Sequence, residues 1–279
     1  MDLNKWNHFI RPNLWAFGLG IFLIGVLASG IFTSIYFIGA LIAVMLCTVS
    51  ITLNHYYDYE TDRKSKQLYR FPVAAGKISK QVTLWVSLFL MTITILLSVL
   101  FLNIQSLILV LIANLMVYSY SAPPIRIKER PYLDWIYNGT AYGCIPYYLA
   151  LFISGFPLSI EQHLLGLVPL FIATSGHILL QVRDIKDDKK GRVKTTSTRL
   201  GIKTMKNISG AFVALAGLVI VYLTLLGFLN FLAWVALLCG AFVMIVHKKM
   251  KKDVTKSYLK LQLIYVIGGI LFILSVIRF

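Results

Sequence analysis

Residues Ser34–Asp62 read SIYFIGALIAVMLCTVSITLNHYYDYETD. The first 20 of these, through Leu53, carry no charge, whereas Asp58, Glu60 and Asp62 fall within the last five. A membrane-spanning helix needs about 20 mostly apolar residues. The stretch therefore reads as a spanning helix that runs, with no Gly or Pro stop after it, into an acidic tail.

Eight further stretches repeat the apolar half of this pattern: Leu14–Phe32, Val82–Leu102, Gln105–Ser121, Tyr132–Ile153, His163–Val182, Ile208–Gly227, Phe231–His247 and Tyr258–Ile277. Strands of a membrane barrel would alternate in polarity and be about 10 residues long. The expected fold is all-α, a polytopic membrane bundle of nine transmembrane helices. No Pro/Ser-rich linker divides the chain, so residues 1–279 are expected to form a single membrane-embedded domain. The first stretch lacks a small-residue cleavage site and is read as a retained helix. Composition agrees: 58% of residues are hydrophobic and 14% charged, against about 25% charged in soluble chains. That excludes a disordered chain and a soluble nucleic-acid binder.

The chain has 27 Lys+Arg against 11 Asp+Glu. Threading nine spans puts 26 of the 27 basic residues on one side, leaving only Arg278 opposite. Lys and Arg concentrate in cytoplasmic loops. The N-terminus and the large loops are thus expected to be cytoplasmic, in the cell membrane. Cys47, Cys144 and Cys239 lie within spans without ligand or disulfide spacing, and read as packing residues. His55 and His177 each lack a second histidine at ligand spacing, so zinc is not expected.

The acids are scarce but clustered. Asn54, Asp58 and Asp62 follow one another at i, i+4, i+8, which keeps them on one helical face. Asp184 and Asp188 repeat the step of four after the sixth span, with Asp187 between them. One such cluster reads equally well as solvated loop charge; two with equal spacing at equivalent helix ends do not. Hard oxygen donors suit Mg2+, which takes one or two carboxylates with substrate phosphate oxygens. Two facing clusters would hold Mg2+ ions bridged by a diphosphate. At the end of the fourth span, Tyr120-Ser-Ala-Pro-Pro-Ile-Arg126-Ile-Lys128 breaks the helix and brings two cations to the same interface. If extended, the Arg-x-Lys alternation points both one way. Arg is suited to bind phosphate as a fork and Lys as a point charge. Asp134, opening the fifth span, reads as a helix cap.

In this order and on one side, these motifs resemble the UbiA superfamily of intramembrane prenyltransferases. The resemblance covers nearly the whole chain, including Arg11-Pro12 and Pro72-x3-Gly76-Lys77-Ile-Ser. It implies transfer of a polyprenyl group from a polyprenyl diphosphate to a lipophilic or aromatic acceptor, with Mg2+, in a central cavity open to the bilayer and capped on the cytoplasmic side. It implies that Asn54, Asp58 and Asp62 hold one Mg2+, and Asp184 and Asp188 the other. It implies that Arg63, Lys77, Arg126 and Lys128 grip the diphosphate, with help from Arg11, and that Tyr120 faces the allylic carbon. The chain departs from the family where His55 stands in place of Asp, and where Phe71 precedes Pro72 with Arg70 one place earlier. Thr195-Thr196 and Tyr120–Arg130 look more like the lipid- and pigment-modifying branches. Membrane lipids are the expected surroundings; oligomeric state, acceptor and chain length are not legible. The competing class is a polytopic transporter whose interfacial acids bind a cation, though transporter sites usually place charges near the midplane. CDP-alcohol phosphotransferases also use Asp clusters, but their Asp-Gly-x2-Ala-Arg signature is missing.

Overall fold

The structure, a computed structural model, describes residues 3–65, 68–191, 195–249 and 254–277, and all regular secondary structure among them is helical. Side chains at 3, 186–191, 243–249, 254–263 and 265 lie outside that description. A short helix α1 (Leu3–Ile10) leads into α2 (Pro12–Ser29), whose first residue is the proline that a helix start tolerates. Gly30, with φ 69°, closes α2 in the left-handed conformation that glycine adopts without cost. Helix α3 (Ile35–Tyr57) is followed by a single off-helix residue, Asp58 (φ −91°, ψ 5°), and one more turn, α4 (Tyr59–Asp62). The pair α5 (Lys80–Phe101) and α6 (Ile104–Ser121) turns tightly at Asn103, whose side chain accepts from Ser106 N–H at 2.9 Å.

The fifth expected span is divided. Helix α7 (Leu133–Asn138) passes through a π-helical segment, Gly139–Cys144, into α8 (Ile145–Ile153). Helix α9 (Ile160–Gly191) packs against this segment and against α10 (Thr196–Leu225). A Cβ on Gly143 would lie 2.7 Å from the Pro169 carbonyl carbon and 2.8 Å from Leu170 N, so glycine is what lets the two backbones approach. The chain ends in α11 (Leu232–Lys249) and α12 (Val254–Ser275).

Among the described residues, α2, α3, α5, α6, α9 through Ile185 and α10 are long and apolar enough to cross a membrane. Shorter apolar runs occupy Leu232–Phe242 and Val266–Ser275. Polarity is inverted relative to a water-soluble bundle. The buried positions of α5 are Thr83, Ser87, Thr94 and Ser98, while Val82, Trp85, Phe89 and Val99 face outward. Small hydroxyl residues allow close helix approach and bond across the interface: Ser87 donates to Thr52 Oγ1 at 2.7 Å, and Asn114 Nδ2 to Thr94 Oγ1 at 3.0 Å. Apolar surface turned outward is stable when lipid is the solvent. The protein is a multi-pass integral membrane protein.

One expected loop is largely helix. The sequence reading places a connection of about 25 residues after Val182, but α9 continues to Gly191 and α10 begins at Thr196. Residues 183–190 include only one β-branched residue, Ile185, and no Gly or Pro, so nothing local stops the helix before Gly191. Gly201 (φ 78°, ψ 165°) then kinks α10.

Candidate functional site

The junction of α3 and α4 carries the first acidic set. Asp58 N–H donates to Asn54 O at 2.9 Å and Asp62 N–H to Asp58 O at 2.8 Å, so the three residues keep their helical step through the kink. Opposite them lies the turn after α6. It is not the extended strand expected from the sequence. After the Pro-Pro break Arg126 adopts a left-handed backbone (φ 42°, ψ 59°), and Ile127–Glu129 form a 3-10 turn. The two cations converge nonetheless, because both reach one acceptor. Arg126 Nη2 donates to Asp58 Oδ1 at 3.1 Å, and Lys128 Nζ donates to the same oxygen. Arg126 Nε donates to Glu129 Oε1 at 2.6 Å, fixing the guanidinium. Burial holds the Lys128 ammonium below its usual pKa, with the Asp58 charge opposing that effect.

Asp62 is 13% exposed, and its Oδ2 has no hydrogen-bond partner. Burial pushes this carboxyl above the usual range; Asp58 adds to the shift, while His55 and Lys128 oppose it. Arg11 stands at the start of α2, also left-handed (φ 46°). Its guanidinium is held below the usual pKa first by burial and then by Arg70, and it feels both Asp62 and Arg183.

The other expected residues are placed less centrally. The Arg63 guanidinium lies over the Tyr59 ring at 5.5 Å, and Lys77 is exposed in the turn after Pro72. Asp184 takes both oxygens' bonds from its neighbour Arg183, at 2.7 and 2.8 Å. The side chains of Asp187 and Asp188 fall outside the described set. Lys80, not singled out in the sequence, sits over the rings of Tyr56 and Tyr59 at 5.0 and 5.2 Å.

Tyr120 is half-buried, deeper in the bundle. Its ring stacks on Tyr137 at 4.5 Å, and its hydroxyl accepts from Asn138 Nδ2 at 3.3 Å. Asn138 also bonds the Asp134 carbonyl at 2.8 Å and approaches His177 Nε2 at 3.3 Å. Asp134 corrects the sequence reading of a simple helix cap. It is fully buried and accepts from Trp135 N–H (2.9 Å), Gln181 Nε2 (2.5 Å), Thr196 Oγ1 (2.6 Å) and Thr196 N–H (3.3 Å). It fastens α7, α9 and α10 together. Nothing in the local sequence shows this, because the partners are remote.

Among the described residues no three His, Cys, Asp or Glu side chains gather closely enough to hold an ion unaided. Mg2+ does not need that, since it keeps waters and takes phosphate oxygens. The donors at the junction are carboxylate and amide oxygens, and Asp62 Oδ2 is a buried oxygen lacking a partner. This set fits Mg2+. A narrow apolar crevice lined by Cys47, Ser50, Ala113, Val117 and Tyr142 lies between α3, α6 and the π segment.

Residues 14–273 match the family model of the UbiA prenyltransferase family. The chain is 24% identical over 218 residues to digeranylgeranylglyceryl phosphate synthase of Thermococcus gammatolerans, covering 76% of this chain and 75% of that one. In structure it resembles a UbiA homologue from Archaeoglobus fulgidus bound to GPP and Mg2+, with TM-score 0.76 and 20% identity, over 98% of this chain and 99% of that one. It also resembles the apo UbiA homologue from Aeropyrum pernix K1, with TM-score 0.77 and 20% identity, over 96% and 98% of the two chains.

Proposed function

Since this chain belongs to the UbiA prenyltransferase family, we propose that it transfers a polyprenyl group from a polyprenyl diphosphate to a lipophilic or aromatic acceptor at the α3–α4 junction, with release of diphosphate. Family membership as a prenyltransferase sets aside the transporter reading. The observation that carries the assignment of the site is the convergence of Arg126 and Lys128 on Asp58.

In this reading Asn54, Asp58 and Asp62 hold one Mg2+, and Asp184 and Asp188 the other. When bound, Mg2+ neutralises diphosphate oxygens and so favours cleavage of the allylic C–O bond. Arg126 and Lys128 turn from Asp58 to the diphosphate, where charge grows as the bond breaks. Arg11 supports them from α2, and Arg63 and Lys77 close from the rim. Tyr120, with one face stacked on Tyr137, offers the other to the allylic carbon, where an aromatic ring stabilises a developing cation. The prenyl tail runs into the apolar interior beside the crevice. Burial excludes water, which would capture the cation. The departing diphosphate accepts the acceptor's proton.

The concentration of Lys and Arg in the loops at this end supports a cytoplasmic orientation for it. The whole chain acts as one domain of nine crossings around a cavity open to the bilayer. The test is product mass spectrometry after incubating membranes with geranylgeranyl diphosphate and a panel of acceptors. A glyceryl phosphate acceptor leads the panel, because the Thermococcus relative is named for digeranylgeranylglyceryl phosphate. A prenylated product confirms the reading. Its absence across the panel, with diphosphate untouched, refutes it.

A further inference from the structure

His55, in the last turn of α3, is 1% exposed. Its ring stacks on Phe9 of α1, with centroids 6.1 Å apart and an interplanar angle of 14°, and meets the edge of Phe71. Its Nε2 lies 3.3 Å from the His8 carbonyl oxygen. A carbonyl only accepts, so Nε2 carries a hydrogen, and in the neutral tautomer this selects, Nδ1 presents a lone pair. Nδ1 has no hydrogen-bond partner. It faces Asp62 Oδ2, 3.9 Å away, which is likewise buried and unpartnered.

Two acceptors set face to face in a buried position call for a cation between them. A shared proton would draw them to about 2.7–2.9 Å, the length of a charge-assisted N–H···O bond. The observed gap is too wide for that. A divalent ion bonded to each at about 2.0–2.2 Å suits it, sitting slightly off the line between them. Donation of the far ring N–H to a backbone carbonyl is also how metal-ligating histidines are oriented.

We infer that His55 Nδ1 and Asp62 Oδ2 jointly ligate a divalent cation, and that the nitrogen donor makes this position favour a first-row transition ion over Mg2+. The inference rests on the reading of the Asp58–Asp62 segment as a cation site given above. Among the described residues no third His, Cys, Asp or Glu stands with the pair in this structure, so the other positions fall to water, diphosphate oxygens and the Asn54 and Asp58 donors of that same reading. The segment is then a mixed nitrogen–oxygen site.

Pulsed EPR of the purified full-length protein, loaded with Mn2+ and inorganic pyrophosphate, tests this directly. Bound Mn2+ is expected to show coupling to a histidine 14N, replaced by 15N coupling when the protein carries 15N-histidine. The coupling vanishes in His55→Gln, and the Mn2+ Kd rises about tenfold or more, with a smaller change for Mg2+. Absence of nitrogen coupling in the wild type, or its survival in His55→Gln, overturns the inference while leaving the carboxylate site standing. If His55→Gln does not fold, the labelled wild type still decides whether histidine is bound, and loss of the coupling in His8→Gln would overturn the assignment to His55. If Mn2+ does not bind even with pyrophosphate, the cation-site reading itself fails, and the inference falls with it.

Discussion

Asp58 Oδ1 is shared by two cations, Arg126 at 3.1 Å and Lys128, which lie 68 and 70 residues away in the chain. All three side chains are largely buried, at 16%, 24% and 13% exposure. Removal of the carboxylate leaves two like charges facing each other with little water. Asp58→Ala is expected to abolish turnover and to lower stability by about 1–3 kcal/mol. A transfer assay and a thermal melt of the purified protein check this; near-normal turnover removes Asp58 from the site.

Arg126 is held at the site by Glu129 as well as by Asp58, and Glu129 keeps it there when the guanidinium turns from Asp58 to the diphosphate. Arg126→Ala is expected to raise the KM for the prenyl diphosphate by roughly tenfold or more, the worth of one charge-assisted contact. An unchanged KM and kcat would show that the guanidinium does not touch the diphosphate.

Chelation offers a separate check. EDTA is expected to stop transfer, and added Mg2+ to restore it, because the acids at the α3–α4 junction do not themselves cleave an allylic diphosphate. Transfer that persists in EDTA contradicts the mechanism.

Burial raises the Asp62 pKa in the folded chain above its unfolded value. The fold therefore binds this proton more tightly than the unfolded chain does. The corresponding stability is complete below the ordinary carboxylate pKa and is lost as pH rises through the raised one. Metal-free protein is expected to melt at lower temperature as pH rises across that window, and Asp62→Asn to flatten this slope. A melting profile with the opposite slope, or one unchanged in Asp62→Asn, refutes the assignment. Metal affinity falls in the same window as pH drops, since proton and cation compete for one carboxylate.

Asp134 predicts a structural phenotype. Asp134→Ala leaves the amide of Gln181 and both donors of Thr196 without their buried acceptor. The expected cost is about 2–4 kcal/mol, read as a fall in melting temperature. The KM for the diphosphate is expected to stay near the wild-type value in protein that remains folded. A large KM change at unchanged stability would instead place Asp134 at the substrate.

The apolar spans and the i, i+4, i+8 acids were legible because both depend on local period. The meeting of Arg126 and Lys128 at Asp58 was legible only as a shared interface. The sequence suggested an extended segment, and the left-handed Arg126 backbone supplies the convergence in another way. Asp134 was misread because a carboxylate near a helix start looks like a cap. Its partners Gln181 and Thr196 are 47 and 62 residues distant, and no local pattern encodes such pairs. His55 lacks a second histidine at ligand spacing, and the acid it faces, Asp62, stands about two helical turns ahead. Tyr120 was placed from the motif, but the Tyr137 ring beneath it was not foreseen.

The π-helical segment Gly139–Cys144 has a consequence for the length of the chain at this point. Each α-helical residue rotates the chain by about 100°, so a wider turn resets the angular phase between the two halves of the helix. Upstream, Asn138 meets Tyr120 and His177. Downstream, Tyr147, Leu149 and Leu151 enter the apolar cores. Deleting one residue between 139 and 144 would restore regular α-helical bonding and swing one half away from its neighbours. Here the number of residues is as strict a requirement as their kind.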